Sequence, residues 1–240
     1  MEMWSDQGII LSARHHGDNG AVVHILTANR GVQTGYVRGA RGSKMRGTME
    51  IGNHVDVRWQ ARNDESLGTF LLELHHNPSV VIMGDPLRLG ALQSACALCR
   101  HALPERENAA AVYEGLHALF QALPSDIWGE AYVFWEIALL RELGFPLELS
   151  TCAGGGDSND LSYVSPKTGR AVSQEKGAAY ADKLLVLPAF LGGILENESD
   201  VIAGLDLTGY FLEHWVFNHH TRGVPPARLQ FYERVLKSAS

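Results

Sequence analysis

AVVHILTANRGVQTGYVR, at residues 21–38, has the pattern of a β-hairpin. Residues 21–26 and 32–38 are rich in β-branched and aromatic side chains, which favour strands. The four residues between them, 28–31, have turn chemistry, and Gly31 suits the left-handed conformation that a tight turn requires. The sequence therefore predicts two antiparallel strands joined by a short turn.

Three further strand patterns flank this hairpin. Residues 8–11 (GIIL) precede it, and residues 55–60 alternate apolar and polar side chains, as a half-buried strand does. Residues 69–74 (TFLLEL) complete the set. Five short strands that require no helix between them are typical of the OB-fold, a small barrel that often binds single-stranded nucleic acid. We therefore predict an OB-fold domain over residues 1–80.

The rest of the chain has helical patterning. Asp85 suits the N-cap of a helix, and Pro86 suits its first turn. Residues 128–143 carry apolar side chains at spacings of three and four, as a helix with one buried face does. We predict an α-helical domain over residues 81–240, and an α+β fold for the chain as a whole.

Residues 19–49 contain no aspartate or glutamate, although the whole chain has a net charge of −7. Removing the five positive charges of this segment would leave the remainder at −12. Clustered cations with glycines between them predict a flexible loop, with no obvious helix, that contacts a polyanion such as DNA. The alternative is a solvated surface loop that is basic without binding anything. The candidate DNA-contacting cations are Arg30, Arg38, Arg41, Lys44 and Arg46.

Tyr36 joins these candidates because it shares one face of its strand with Arg38. A stacking ring beside a phosphate-binding charge is a common way for OB-folds to hold a single strand. The alternative is that Tyr36 packs inside the barrel together with Val32, since aromatic side chains on strands are often buried.

The sequence predicts no catalytic centre, no cofactor and no small-molecule substrate. CALC at residues 96–99 has metal-ligand spacing, but it lies in a helical apolar pattern where cysteine behaves as a small hydrophobic residue. The adjacent histidines His75 and His76 point in different directions, so they rarely serve one ion.

Residues 184–195, the longest apolar stretch, are too short to span a bilayer. Sparse cysteines and the lack of a secretory signal predict a cytoplasmic protein without a membrane partner.

Several segments together resemble the bacterial recombination-repair family RecO. YVRGARG at residues 36–42 carries the N-terminal similarity, and FWEIALL at 134–140 with LGFP at 143–146 carries the central one. YVSP at 163–166 and VPPAR at 224–228 follow towards the C-terminus. Each segment is weak alone, but their order and spacing across nearly the full length are specific.

The resemblance implies a small ribbon-like insert at about residues 150–180, within the helical domain. It also implies a recombination mediator of the RecF pathway in DNA repair, not an enzyme. Such proteins bind single- and double-stranded DNA, anneal complementary strands, and work with RecR to load RecA onto strands coated by single-stranded-DNA-binding protein. They act in the bacterial cytoplasm, associated with the nucleoid during repair. The family's DNA-contacting region maps onto the five cations named above.

These proteins also engage the acidic C-terminal tail of single-stranded-DNA-binding protein. A tail of this kind needs an apolar pocket for its end and a cation for its carboxylates. The similarity to the family's central helix makes Arg141, near Leu139, Leu140 and Leu143, the candidate cation.

One departure from the family concerns a metal. Many relatives carry a four-cysteine zinc site in the insert, built from two C-x-x-C pairs. The resemblance places the corresponding positions of this chain at Cys152, Gly155, Ser173 and Lys176. One thiolate cannot form the four-ligand site of structural zinc. We therefore predict an insert without zinc, and no metal elsewhere.

Two other functions remain open from the sequence. The OB-fold could bind RNA instead of DNA, as a translation or RNA-handling factor. Alternatively, the chain could be a protein-binding scaffold whose basic loop recognises an acidic peptide, since arginine attracts carboxylates as well as phosphates.

Overall fold

The computed structural model of the chain describes residues 2–63, 66–195 and 200–239. It forms two compact units, one of Met1–Pro124 with Pro225–Arg228 and the other of Ser125–Val224 with Leu229–Ser240. The fold is α+β, as predicted. The domain boundary at residue 80 stays a prediction: the last barrel strand ends at His76, and the compact unit that contains the barrel continues to Pro124.

Five strands of the first unit close into a barrel in the order β1-β2-β3-β5-β4. All neighbours are antiparallel except β3 and β5, which pair in parallel where Tyr36 lies opposite Thr69. This is the predicted OB-fold. The strands are β1 (Glu2–His16), β2 (Gly20–Thr27), β3 (Gly31–Arg38), β4 (His54–Ala61) and β5 (Thr69–His76).

Alternation along the strands separates the barrel core from its outer face. Val23 and Ile25 of β2 point inwards, as do Val55 and Val57 of β4 and Phe70 of β5. On β1 the register with β2 shifts between Ile10 and Ser12, so the inward side chain after Ile10 is Ala13. This bulge sets the direction of every later side chain on β1.

Three helices complete the first unit: α1 (Ser43–Thr48), α2 (Pro86–Ala102) and α3 (Ala110–Ala122). The predicted start of α2 is confirmed, because the Asp85 carboxylate accepts hydrogen bonds from the backbone N–H groups of Leu87 at 2.9 Å and Arg88 at 3.2 Å. Cys96 and Cys99 are fully buried on α2, and burial raises the pKa of both thiols. They are packing residues, as the sequence indicated.

The second unit consists mainly of helices with a small sheet inserted among them. Tyr132 of the first helix packs against Phe231 of the last, with ring centroids 4.7 Å apart. The buried Glu136 accepts a hydrogen bond from Thr208. The elements are α4 (Trp128–Glu142), β6 (Leu161–Val164), β7 (Ala171–Ser173), α5 (Gln174–Gly177), β8 (Leu185–Val186), α6 (Asp200–Phe211) and most of α7 (Pro226–Ala239).

The inserted sheet, with strand order β7-β6-β8, is the predicted ribbon-like insert. The Cys152 thiol lies 3.5 Å from the Ser173 hydroxyl and accepts a hydrogen bond from the Ser173 N–H at 3.2 Å. A Cβ placed on Gly156 would lie 3.1 Å from Cγ of Lys176. The segment with Cys152 and Gly155 therefore meets the segment with Ser173 and Lys176, which are the two places where a zinc ribbon carries its cysteine pairs. Serine and lysine stand where the second pair of cysteines would be.

The Cys152 thiol has an altered acidity in this setting. Burial acts to raise its pKa, but hydrogen bonds from Ser173 and from the backbone of Gly156 and Gly154 act more strongly together and lower the pKa to about 7. Among the described residues, no group of three or more histidine, cysteine, aspartate or glutamate side chains is placed to hold a metal ion.

The described residues also include no helix that is both long and apolar enough to cross a membrane.

Candidate nucleic-acid interface

Tyr36 lies on the outer face of the barrel. Its neighbours on β3, Gly35 and Val37, are buried on the inner side, so Tyr36 and Arg38 point outwards. The phenol ring crosses β2 above Gly20, where an added Cβ would lie 1.7 Å from the Tyr36 hydroxyl oxygen. The edge of His16 approaches the ring with centroids 6.4 Å apart. Tyr36 is therefore not a core residue, and the absence of a side chain at Gly20 lets its ring lie along the barrel wall.

Arg14 and His16 of β1 lie on the same outer face as this ring. Arg14 lies opposite Val22 on β2, and Val22 lies opposite Tyr36 on β3. Likewise, His16 lies opposite Gly20 on β2, and Gly20 lies opposite Arg38 on β3. Since adjacent strands are about 4.8 Å apart, the backbone of Arg14 lies roughly 10 Å from that of Tyr36, and the backbone of His16 lies roughly 10 Å from that of Arg38. Neither residue was predicted from the sequence, because their direction depends on the β1 bulge and because residues 15–20 have the composition of a turn.

The basic segment after β3 is tied to the barrel and is partly helical. The backbone N–H of Ala40, which is fully buried, donates to the carbonyl of Asn19 at 3.2 Å. Residues 43–48 form α1, and the Asn53 side chain donates to the carbonyls of Gly47 at 2.6 Å and Thr48 at 3.2 Å. The prediction of a flexible loop without a helix was therefore wrong for this segment.

Three predicted cations, Arg41, Lys44 and Arg46, project from this segment and are exposed. With the outer-face residues they form one surface at one end of the barrel, which we call the loop-end surface. Asp18 and Glu50 flank it on the β1–β2 turn and after α1. The loop-end surface comprises Arg14, His16, Tyr36, Arg38, Arg41, Lys44 and Arg46.

Arg30 lies elsewhere. It occupies the turn between β2 and β3, at the opposite end of the eight-residue strand β3 from Arg38. At about 3.4 Å per residue, the eight steps from Arg30 to Arg38 separate the two arginines by roughly 27 Å. Its guanidinium carbon lies 5.3 Å from the centroid of the Trp4 ring. The structure thus brings four of the five predicted cations together and places the fifth at the far end of the barrel.

The outer face between these two ends is covered by α2. His24, on β2, lies 2.9 Å from the Ser12 hydroxyl through Nδ1 and accepts a hydrogen bond from Arg100 at Nε2, at 2.6 Å. Burial lowers the pKa of His24 to about 4, and the positive charge of Arg100 acts in the same direction. His24 is therefore neutral at neutral pH and adds no charge to the loop-end surface.

Arg141 lies near the end of α4 in the second unit. It is exposed, and its Nε lies 3.4 Å from the Glu142 carboxylate. Leu139 and Leu140 are buried, so they do not form the open apolar pocket that was expected beside it. Phe134 lies seven residues before Arg141, which places both on one face of α4, and it is 50% exposed.

Comparisons with known proteins cover nearly the whole chain. Residues 1–76 match the family described as recombination protein O N terminal, and residues 83–222 match recombination protein O C terminal. A protein named DNA repair protein RecO from Rhodospirillum centenum is 47% identical over 238 residues, which are 98% of this chain and 95% of the relative. Proteins of the same name from Rhodospirillum rubrum and Caulobacter vibrioides are each 44% identical, covering 97% and 98% of this chain and 96% and 98% of the relatives.

Proposed function

Since the chain belongs to the recombination protein O family and has a role in DNA repair and recombination, we propose that it is a mediator that binds single- and double-stranded DNA and anneals complementary strands. In this proposal it catalyses no covalent reaction. It acts on the DNA of the bacterial nucleoid, in the cytoplasm.

The loop-end surface is the observation that supports this proposal most directly. Five of its members are arginine or lysine, and Tyr36 supplies an aromatic ring between Arg14 and Arg38. Cations bind the backbone phosphates of any sequence, and a ring stacks on any base. A mediator needs this combination, because it must handle strands irrespective of their sequence.

The proposed protein partners are RecR, single-stranded-DNA-binding protein and RecA. With RecR, the chain would help to load RecA onto strands coated by single-stranded-DNA-binding protein. We place the acidic tail of that coating protein on the α4 face that carries Arg141 and Phe134, which offers a cation and an exposed apolar ring about two helical turns apart.

A fluorescence anisotropy experiment tests the DNA proposal against its alternatives. Labelled single-stranded DNA, double-stranded DNA, RNA of the same sequence and an acidic peptide are titrated separately with the protein. We expect binding of both DNA forms, with single-stranded DNA preferred over RNA. Tighter binding of RNA would favour an RNA-handling factor, and binding of the peptide with no binding of any oligonucleotide would favour a scaffold. Adding RecR and counting RecA filaments on coated strands then tests the mediator step.

A further inference from the structure

We propose that a cleft at the Arg30 end of the barrel holds a single unpaired nucleobase of bound DNA. The cleft has a volume of about 280 Å³ and is lined by Trp4, Asn29, Arg30, Arg106 and Asn108, among others. We call it the Trp4 cleft. This inference rests on the proposed DNA binding, and it assigns to Arg30 a role different from that of the cations on the loop-end surface.

The aromatic wall of the cleft is rigid. Trp4 on β1 is registered directly with Trp59 on β4, and their rings are stacked with centroids 5.7 Å apart and planes 16° apart. Trp4 also meets Phe70 edge to face at 6.2 Å. The Trp59 indole N–H donates to the carbonyl of Leu67 at 3.2 Å, which fixes the ring beneath Trp4. Trp4 itself remains partly exposed, so the wall offers a held aromatic surface at the barrel's end.

A planar cation lies on this surface. The Arg30 guanidinium carbon is 5.3 Å from the Trp4 ring centroid, within the range of a cation–π contact. The Gln33 amide donates to the Arg30 carbonyl at 2.6 Å and so holds the turn that carries this side chain. Guanidinium planes and indole rings are both surfaces on which unstacked bases are held by proteins. An incoming base can therefore stack on the exposed part of the Trp4 ring, beside the Arg30 guanidinium.

The polar groups of the cleft suit the edge of a base. The Asn108 side-chain oxygen accepts from the N–H of Ala110 at 3.0 Å, which leaves its amino group as a donor. The Asn29 amino group donates to Asp6 at 2.9 Å, which leaves its oxygen as an acceptor. Bases present both donors and acceptors on their edges, so this pair accommodates more than one of them.

A phosphate is attracted less strongly to this position than to the loop-end surface. The Asp6 carboxylate accepts hydrogen bonds from the Asn29 side chain and, at 3.1 Å, from the Asn29 backbone N–H. This carboxylate borders Asn29 and partly offsets the positive charges of Arg30 and Arg106, which line the cleft. The loop-end surface, with five cations and two flanking carboxylates, is the place for the phosphates.

One backbone segment that lines the cleft has an unusual conformation. Arg106 has a φ of +66°, and among the described residues it is the one non-glycine with a positive φ. Its N–H donates to the carbonyl of Val32 at 2.9 Å, which attaches this segment to β3. Left-handed residues other than glycine are retained mainly where surrounding contacts enforce them, often at binding sites. The attachment keeps residues 106–108 at the mouth of the cleft.

The test separates bases from phosphates by comparing oligo(dT) with an abasic oligonucleotide that has the same number of phosphates. We expect Trp4→Leu to weaken oligo(dT) binding roughly 5- to 150-fold, the value of one stacked base, without changing its salt dependence. Binding of the abasic strand should be unchanged. Trp4→Phe, which retains an aromatic ring, should recover most of the affinity, and Arg30→Lys, which retains the charge but not the plane, should show a partial loss.

Other outcomes would contradict either the Trp4 cleft or the proposed DNA binding, and they can be told apart. Equal losses for oligo(dT) and the abasic strand, or no loss for either, would overturn the Trp4 cleft while leaving DNA binding at the loop-end surface intact. A wild-type protein that binds neither strand would overturn the proposed function itself. Failure of Trp4→Phe to recover binding, with a melting temperature equal to that of wild type, would also count against stacking.

Discussion

Replacing Arg38, Arg41 and Lys44 together with alanine should flatten the salt dependence of single-stranded DNA binding. The loop-end surface holds five permanent cations, and each phosphate contact contributes about −0.7 to the slope of log affinity against log salt on single strands. Wild type should therefore have a slope of roughly −3.5, and the triple variant one of roughly −1.4. Between 50 and 200 mM salt, the affinity should fall about 130-fold for wild type but only about sevenfold for the variant.

The assay is fluorescence anisotropy with a labelled oligonucleotide at four or more salt concentrations. A variant with alanine at the exposed Lys167, Lys183 and Arg222 of the second unit removes the same net charge, so it controls for overall electrostatics. This control should keep the wild-type slope. A triple variant whose slope matches that of wild type would refute the assignment and place the phosphate contacts elsewhere.

Three more predictions concern other parts of the molecule. Gly20→Ala should displace the Tyr36 ring, because the new Cβ would lie 1.7 Å from its hydroxyl oxygen, and should weaken single-stranded DNA binding roughly 5- to 150-fold at an unchanged salt slope. The purified protein should contain no stoichiometric zinc by elemental analysis, and a chelator should leave its melting temperature unchanged, since Cys152 is the one cysteine of the insert. Arg141→Ala should weaken binding of the acidic tail peptide of single-stranded-DNA-binding protein in a titration, with oligonucleotide binding intact, and Phe134→Ala should do the same.

Each of these has its own control. Gly84→Ala adds a methyl group where no atom lies within 4 Å, so it should leave DNA binding unchanged, and wild-type affinity in Gly20→Ala would show that Tyr36 does not stack on a base. About one zinc per chain would contradict the second prediction. Equal tail affinity in wild type and Arg141→Ala would remove that residue from the tail site, and no binding to wild type would remove the tail as a partner.

Local patterns were sufficient to predict the elements whose partners are near in sequence. The β2–β3 hairpin follows from two runs of β-branched and aromatic residues around a turn, and α2 follows from an N-cap carboxylate next to a proline. The sequence predicted only residues 8–11 of β1, whereas the strand covers Glu2–His16. Its first half pairs with β4, about fifty residues away, and no local signal marks such a pairing.

The candidate site was predictable to a similar extent. Charge composition found the basic segment, and alternation placed Tyr36 on one face with Arg38, because both are properties of contiguous residues. Whether that face points outwards was left open by the sequence. Arg14 was missed because its direction depends on the β1 bulge, and the separation of Arg30 was missed because neighbours in sequence were assumed to be neighbours in space. The short helix α1 was missed since it has six residues and contains Gly47.

The barrel closes between strands that are distant in the sequence, which affects how it forms during translation. β1 requires residues 54–61 as its second neighbour, and β3 requires β5, which ends at His76. At about 5–20 residues per second, roughly 2–8 s pass between the synthesis of residue 38 and that of residue 76. Throughout this interval the nascent β1–β3 sheet has open edges with unpaired backbone groups. Until β5 leaves the ribosome, the emerging chain is therefore a target for chaperones and for premature association with its copies on the same messenger RNA.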